Sequence, residues 1–388
     1  MSPNRSRQPR SEATLRRRQE QGELRVRSAA DYRLLVQQAG LEEAFGATDV
    51  VVAADAGFTD QASLQLSFGP TDPPLRLRSG RLGGVNGLAS GGPGELTLPV
   101  GGGLGEPARR SGAQVLSELL EGRALPLDAV GEATAQHPRR ELHGTVDLEA
   151  IGSARLLLHQ AIRENGVVAL SSASGRCASP WGPLLGPHLS ALYSCGGAGS
   201  IGLTMPALRH LGPGSPALVA GALGWVIGAG SGHQPGVRRQ ASGHALSPGA
   251  AAAVSVELAG LEQRWLRACF LEGHGCALLV AIAAPVPLLD LEDARGAAAG
   301  PEVLQAPVLD LAIPRRIRPT LGSVSYAELT SGRIRVGGRE LHSAPAHSPR
   351  LAAELAAELV QRLQSNRFPL RLPATPLPGR ASLRPLEA

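Results

Sequence analysis

Several groups of residues in this chain could do chemistry. Asp60 lies in Gly57-Phe58-Thr59-Asp60-Gln61, where an apolar run gives way to an alternating one. A turn at such a junction presents its side chain, and a carboxylate there can act as a general acid–base group, bind an amine, or simply serve the turn. Cys195 is followed by Gly196 and Gly197. Backbone N–H groups can approach a thiol in that setting and favour thiolate, as Arg176 can for Cys177. Packing is the competing role for both thiols. His137-Pro138-Arg139-Arg140-Glu141 sets an imidazole and two guanidinium groups in a turn, and arginine forks suit carboxylates. A solvated charge cluster is the alternative, as it is for Asp310, Arg315, Arg316 and Arg318.

Other groupings resemble known devices without matching them. The spacing of Cys269, His274 and Cys276 fits no standard zinc pattern. Gly228, Gly230 and Gly232 follow an apolar run but lack G-x-G-x-x-G spacing and an acidic residue about 20 positions on. These glycines read as a tight turn beside a substrate pocket. No G-x-S-x-G nucleophile elbow is present. No metal and no cofactor is expected.

The elements that must position these residues are built with few aromatics. The chain has 388 residues, 43% hydrophobic but 3% aromatic, with 49 Gly and 31 Pro. The core must therefore be aliphatic and the connections rich in turns. All 38 basic residues are Arg, and the net charge is +5. Arg5, Arg7, Arg10, Arg16, Arg17 and Arg18 load the N-terminus, but no interleaved aromatics or nucleic-acid module accompany them. No nucleic-acid partner is expected. The four cysteines form no C-x-x-C pair, which suits free thiols in a reducing cytoplasm. No apolar run reaches the roughly 20 residues of a membrane span, and no signal peptide is read.

Helices are expected at 12–21 behind Ser11, at 29–39 behind Ser28, at 112–122, at 154–166, at the Leu291 segment and after Ser348-Pro349. Strands are expected over TDVVVAAD, ASLQLSFG, GVVAL, 216–232 and 277–289. Gly80–Gly105 reads as a long glycine-rich loop, and the segment 322–341 as a β-hairpin region. The expected fold class is α+β, with mixed α/β as the alternative. One large domain spans 11–378, after a disordered basic tail at 1–10 and before a tail at 379–388.

Taken together, GELRVRSAAD, SFGPTDPP, SGAQVLSELLEGRALPL, HPRRELHGTVDLEAI, APVLDLAIPRR and LGSVSYAELTSGRIRVGGREL resemble the homocysteine-biosynthesis family, the aspartate-semialdehyde sulfurtransferases. The resemblance runs from about Thr14 to Pro378. It implies sulfur incorporation into a small-molecule substrate, aspartate semialdehyde, to form homocysteine. It places that chemistry in methionine biosynthesis, in the cytoplasm. It also implies cysteine thiols working through a persulfide or thioacetal-type intermediate, and a ferredoxin-like iron–sulfur protein that can assist. A homo-oligomer is left open.

The chain departs from the family where the resemblance matters most. The family places one cysteine in the turn after its first core strand, here Asp60, and another before its Pro-Arg-x-Glu step, here Gln136. Neither side chain can carry sulfur, and no Cys occurs before Cys177. One reading moves the thiol to Cys195 or Cys177. Another keeps the pocket and lets Asp60 act as acid, base or amine ligand. A third makes the chain a homologue without thiol chemistry that binds a small amino-acid-like ligand or a partner protein. The expected catalytic positions are Asp60, Gln136 and Cys195. The expected substrate contacts are Ser63, Asp72, Asn86, His137 and Arg139, with backbone N–H groups from the loops at 83–92 and around Gly228 and Gly230.

Overall fold

The computed structural model describes residues 10–90, 92–102, 109–315 and 317–379. Arg5, Arg7, Arg316, most of the basic tail and most of the C-terminal tail lie outside the described residues. The fold is α+β.

Short polar residues start most of the helices. Ser11, Ser28, Ser111, Ser200, Asp290, Ser325 and Ser348 each accept a backbone N–H of the first turn. They open α1 (Glu12–Glu20), α2 (Ala29–Ala39), α4 (Gly112–Leu120), α5 (Ile201–Thr204), α6 (Leu291–Ala297), α7 (Tyr326–Thr330) and α8 (Pro349–Gln364), while α3 (Leu41–Gly46) follows Gly40 without a side-chain cap.

The chain threads one large sheet first, through β1 (Val26–Ser28), β2 (Val50–Thr59), β3 (Ala62–Phe68), β4 (Leu77–Leu82), β5 (Val85–Ala89), β6 (Glu95–Pro99), β7 (Leu125–Gly131), β8 (Glu141–Val146) and β9 (Ile151–Arg163). It then alternates between this sheet and a smaller one. Strands β10 (Val168–Leu170) and β13 (Ser190–Tyr193) enter the small sheet, after which β14 (Pro216–Val219), β15 (Ala222–Ala229), β16 (Ala251–Glu257), β17 (Leu266–Leu271) and β18 (Gly275–Pro287) return to the large one. Strands β19 (Gln305–Asp310), β20 (Thr320–Ser325), β21 (Arg333–Val336) and β22 (Arg339–Pro345) complete the small sheet, and β11 (Gly175–Cys177) pairs separately with β12 (Leu184–Gly186).

Among the described residues the large sheet has 14 strands, in the order β1-β2-β18-β14-β15-β16-β9-β3-β6-β5-β4-β7-β8, with β17 on β18. Strands β2 and β3 lie six steps apart, roughly 29 Å if the sheet were flat, at about 4.8 Å per step. Yet only Asp60 and Gln61 join them, a reach of at most about 11 Å. The sheet must therefore curl until β2 returns to the neighbourhood of β3 and β9. The main core fills the large sheet, and a second core, which includes Cys195, Leu203 and Tyr326, lies on the small one.

Three expectations are corrected. The segment 154–166 is strand β9 with its C-terminal extension, not a helix. Leu156-Leu157-Leu158 satisfies either period, and pairing with β3 on one side and β16 on the other decides it. The stretch Gly80–Gly105 is not one long loop. It carries the second half of β4 and all of β5 and β6, because Leu82, Val85, Gly87, Leu96 and Leu98 alternate inward in a pattern that glycine dilutes. Within the segment 322–341, only β21 and β22 form a hairpin, and Ser325 starts the helix α7 before it.

Arg10, Arg18 and Arg25 point inward, onto Asp49. This fully buried carboxylate accepts the Arg25 backbone N–H at 3.0 Å and its Nε at 2.9 Å, and it meets Arg18 closely and Arg10 at 3.8 Å. Burial raises the Asp49 pKa, but the Arg25 hydrogen bonds more than offset it and hold it below the usual range. Arg10 also lies over the Phe45 ring, 4.0 Å from its centre.

Candidate functional site

Where the curled sheet meets the small one, a narrow cleft opens between β2, β9 and β18 and the connections at 165–166 and 194–195. Gly57, Leu158, Ala161, Val280 and Ile282 form the apolar part of its wall, Thr59, Gln160 and Ser194 line it too, and Asp55, Arg163, Asn165 and Cys195 supply the chemistry. Asp55 interrupts the apolar run of β2, and Arg163 ends β9.

Asn165 organises the floor. It is buried, and its amide is fully used. Its Nδ2 donates to the carbonyls of Ala245 at 2.7 Å and Gln305 at 2.9 Å, while its Oδ1 accepts the Gly166 N–H and the Tyr326 hydroxyl, each at 2.7 Å. Tyr326 leads α7 and faces the Cys195 sulfur, together with Ser200 and the Gly197 N–H. Two glycines permit this packing. A Cβ on Gly166 would come within 2.5 Å of the Cys195 Cβ, and one on Gly197, at φ +73°, within 2.7 Å of the Tyr326 ring.

The electrostatics are those of a dry site. Burial pushes the Cys195 thiol up, and Asp55 adds to the rise; the polar groups of Ser200, Tyr326 and Gly197 that face the sulfur offset part of it. Cys195 therefore rests as a thiol. Burial raises the Asp55 carboxyl to about 6, against the Ile201 N–H at 3.0 Å and the charge of Arg163. Burial lowers the Arg163 pKa, while Cys195, Asp55 and Asp60 counter it. Asp55 also borders a larger cavity of about 520 Å³ between α2, α8 and β2, which His347 and Arg33 share.

The residues expected from the sequence fall into three places. Cys195 lies in the cleft. Asp60 and Ser63 do not line it; Asp60 follows the lining residue Thr59 and has its Oδ2 3.0 Å from His274 Nε2, and Ser63 Oγ is 3.2 Å from His159 Nε2. Gly228 sits at a bulge in β15, and Gly230 follows it beside His159; the Ser231 N–H donates to the His159 carbonyl at 2.7 Å, and Gln160 of the cleft wall donates to the Ser231 carbonyl.

Asp72, Asn86, Gln136, His137 and Arg139 are elsewhere, on the arm formed by β3 to β8. Arg139 Nη1 reaches the Asp72 carbonyl at 3.4 Å, His137 is held by Thr134, and Asn86 and Gln136 are exposed. None of these five lines the cleft. The β7–β8 turn that carries Gln136 starts four sheet steps from β3, so one chain does not bring it to Cys195.

Cys177, on β11, accepts the Ser171 hydroxyl at 3.0 Å and does not line the cleft either. Cys269 pairs across with Ala277, whereas Cys276 pairs with Phe270, so the two thiols face opposite sides of the β17–β18 pair. Among the described residues no cluster of three His, Cys, Asp or Glu could hold a metal.

Sequence reasoning missed Asp55, Arg163, Asn165 and Tyr326 as site residues. A signal existed for the first: Asp55 is the one charge in an otherwise apolar strand. For Tyr326 it was the Ser-Tyr-Ala-Glu-Leu run.

Comparison with known proteins gives the same direction. The chain is 26% identical over 374 residues to the L-aspartate semialdehyde sulfurtransferase of Methanosarcina acetivorans, covering 95% of this chain and 72% of that one. It is 25% identical over 389 residues to the protein of the same name from Methanocaldococcus jannaschii, covering 95% and 73%. No solved structure matches it. The family described as homocysteine biosynthesis enzyme, sulfur-incorporation, matches residues 25–370, nearly the whole described fold, and the chain belongs to that family.

Proposed function

We propose that this chain incorporates reduced sulfur into aspartate semialdehyde at the Cys195 cleft, yielding homocysteine. The observation that carries this reading is the placing of Cys195, the one thiol among the lining residues, beside a carboxylate of pKa about 6. Family membership and the names of the two relatives support the substrate.

The chemistry balances as follows. The Cys195 S–H adds to the aldehyde carbon; the C=O π pair moves to oxygen, and the thiol proton reaches that oxygen through the Asp55 carboxylate. Hydrogen sulfide then replaces the hydroxyl, which leaves as water. Departure of Cys195 as the free thiol leaves a thioaldehyde. Two electrons and two protons convert it to the product thiol. The electrons come from an external donor, for which a ferredoxin-like iron–sulfur protein is the proposed partner, in a cytoplasmic setting. No helix among the described residues is long and apolar enough to cross a membrane.

A second reading, ligand binding without thiol chemistry, is favoured by one observation: the thiol is pushed up by burial rather than down. Anaerobic incubation with aspartate semialdehyde, sulfide and a chemical reductant separates the two. The first reading expects homocysteine by mass spectrometry, lost in Cys195→Ser and retained in Cys177→Ser. No homocysteine above the no-protein control, from protein that binds the aldehyde, selects the second.

A further inference from the structure

We propose that Arg163 and Asp55 together select an α-amino acid, Arg163 taking the α-carboxylate and Asp55 the α-ammonium. The inference deepens the reading above, since it concerns the same cleft. It rests on binding groups and not on the thiol.

Arg163 lies mostly buried at the end of β9. Among the described residues its guanidinium makes neither a side-chain hydrogen bond nor an ion pair, and burial lowers its pKa. An enclosed guanidinium without partners is costly, and an entering anion relieves that cost. Its planar fork matches a carboxylate with two parallel hydrogen bonds.

Asp55 has the complementary deficit. Its Oδ2 accepts one N–H, from Ile201 at 3.0 Å, and among the described residues no other hydrogen bond reaches its side chain. The two charges feel one another, yet they form no ion pair within 4.0 Å. Opposite charges thus face a shared space without closing on each other. The neighbouring walls Gly57, Ala161, Gly166, Val280 and Ile282 carry no charge, and the other carboxylate that acts on Arg163, Asp60, is engaged with His274 at 3.0 Å.

A zwitterionic head group fills this arrangement, with its two charges on adjacent atoms of one carbon. A dicarboxylate sets a second anion against Asp55. A carboxylate without an amine leaves Asp55 unanswered, and an amine without a carboxylate leaves Arg163 so. With the head group held, the side chain of a four-carbon amino acid is the part left to meet Cys195.

Calorimetric titration of the full chain tests this without turnover. The probes are L-homoserine, a stable four-carbon amino acid, 4-hydroxybutyrate, which lacks the ammonium, and 3-aminopropanol, which lacks the carboxylate. Selection expects L-homoserine to bind at least about tenfold more tightly than either comparator, a difference of about 1.4 kcal/mol or more. In Arg163→Met the advantage over 3-aminopropanol disappears, and in Asp55→Asn the advantage over 4-hydroxybutyrate disappears.

Equal affinities for the three probes on the natural chain, or no binding of any, overturn the proposal even if the variants do not fold. An unchanged ranking in a folded Arg163→Met overturns it too. Tight and selective L-homoserine binding by a chain that makes no homocysteine upholds it and removes the sulfur-incorporation reading.

Discussion

Gly166→Ala tests the packing that holds the thiol. The added methyl would lie 2.5 Å from the Cys195 Cβ and 2.9 Å from both the Cys195 nitrogen and the Ser194 hydroxyl. Ordinary carbon–carbon contact is about 3.5–4.0 Å, so one segment must move by about 1 Å. Neither moves freely. The Gly166 N–H is bound to Asn165 at 2.7 Å, and Ser194 and Val167 exchange hydrogen bonds, the Ser194 N–H and the Val167 N–H each spanning 3.1 Å. Gly166 is not in the left-handed region, so the effect is steric and not one of backbone strain.

Overpacking of this kind costs about 1–3 kcal/mol. A 1 Å displacement of a reacting group lowers a rate by about 10²-fold. Urea unfolding should show a lower midpoint at unchanged slope. Homocysteine formation, if Cys195 acts, should fall by about two orders of magnitude. Peptide-resolved alkylation of Cys195 should change rate as well. Gly144→Ala, where the methyl meets nothing within 4 Å, serves as the control. A Gly166→Ala protein with an unaltered midpoint and an unaltered Cys195 alkylation rate refutes the reasoning.

Asp55→Asn should raise stability at pH 8. The folded state holds this proton up to about pH 6, against 3.8 without burial; both states are protonated below about pH 4, and stability is lost as pH rises through 6. At about 1.4 kcal/mol per pH unit the gain is up to roughly 3 kcal/mol, vanishing below pH 4. The other groups facing Asp55 are Arg163, Cys195, Tyr326 and, across the larger cavity, Asp31, Arg33 and His347; each is present in both proteins, so the difference between unfolding curves reads the Asp55 change. Asp49→Ala leaves Arg10 enclosed without its counterion and should cost about 3–5 kcal/mol, read as a lower denaturant midpoint. Tyr326→Phe removes the hydroxyl that Asn165 accepts and that faces Cys195. It should cost about 1–2 kcal/mol and shift the pH dependence of Cys195 alkylation further upward.

The sequence by itself determined the parts that local chemistry controls. Ser11, Ser28 and Ser348 open helices because a hydroxyl accepts the first free N–H groups wherever it stands. The β-branched run of β2 could only be a buried strand, and the distributed motifs were enough to indicate the family. Tertiary structure alone decided three things. Pairing with β3 and β16 made β9 a strand and so aimed Arg163 into the cleft. Curling of the sheet brought β2 to β9, residues about 100 positions apart that no spacing rule connects. The junction of the two sheets gathered Asp55, Arg163, Asn165, Cys195 and Tyr326 while leaving Gln136 on a separate arm. Caps and periodicity act within a few residues along the chain. A charged cleft is set by which strands pair, and pairing is fixed by burial of the whole core.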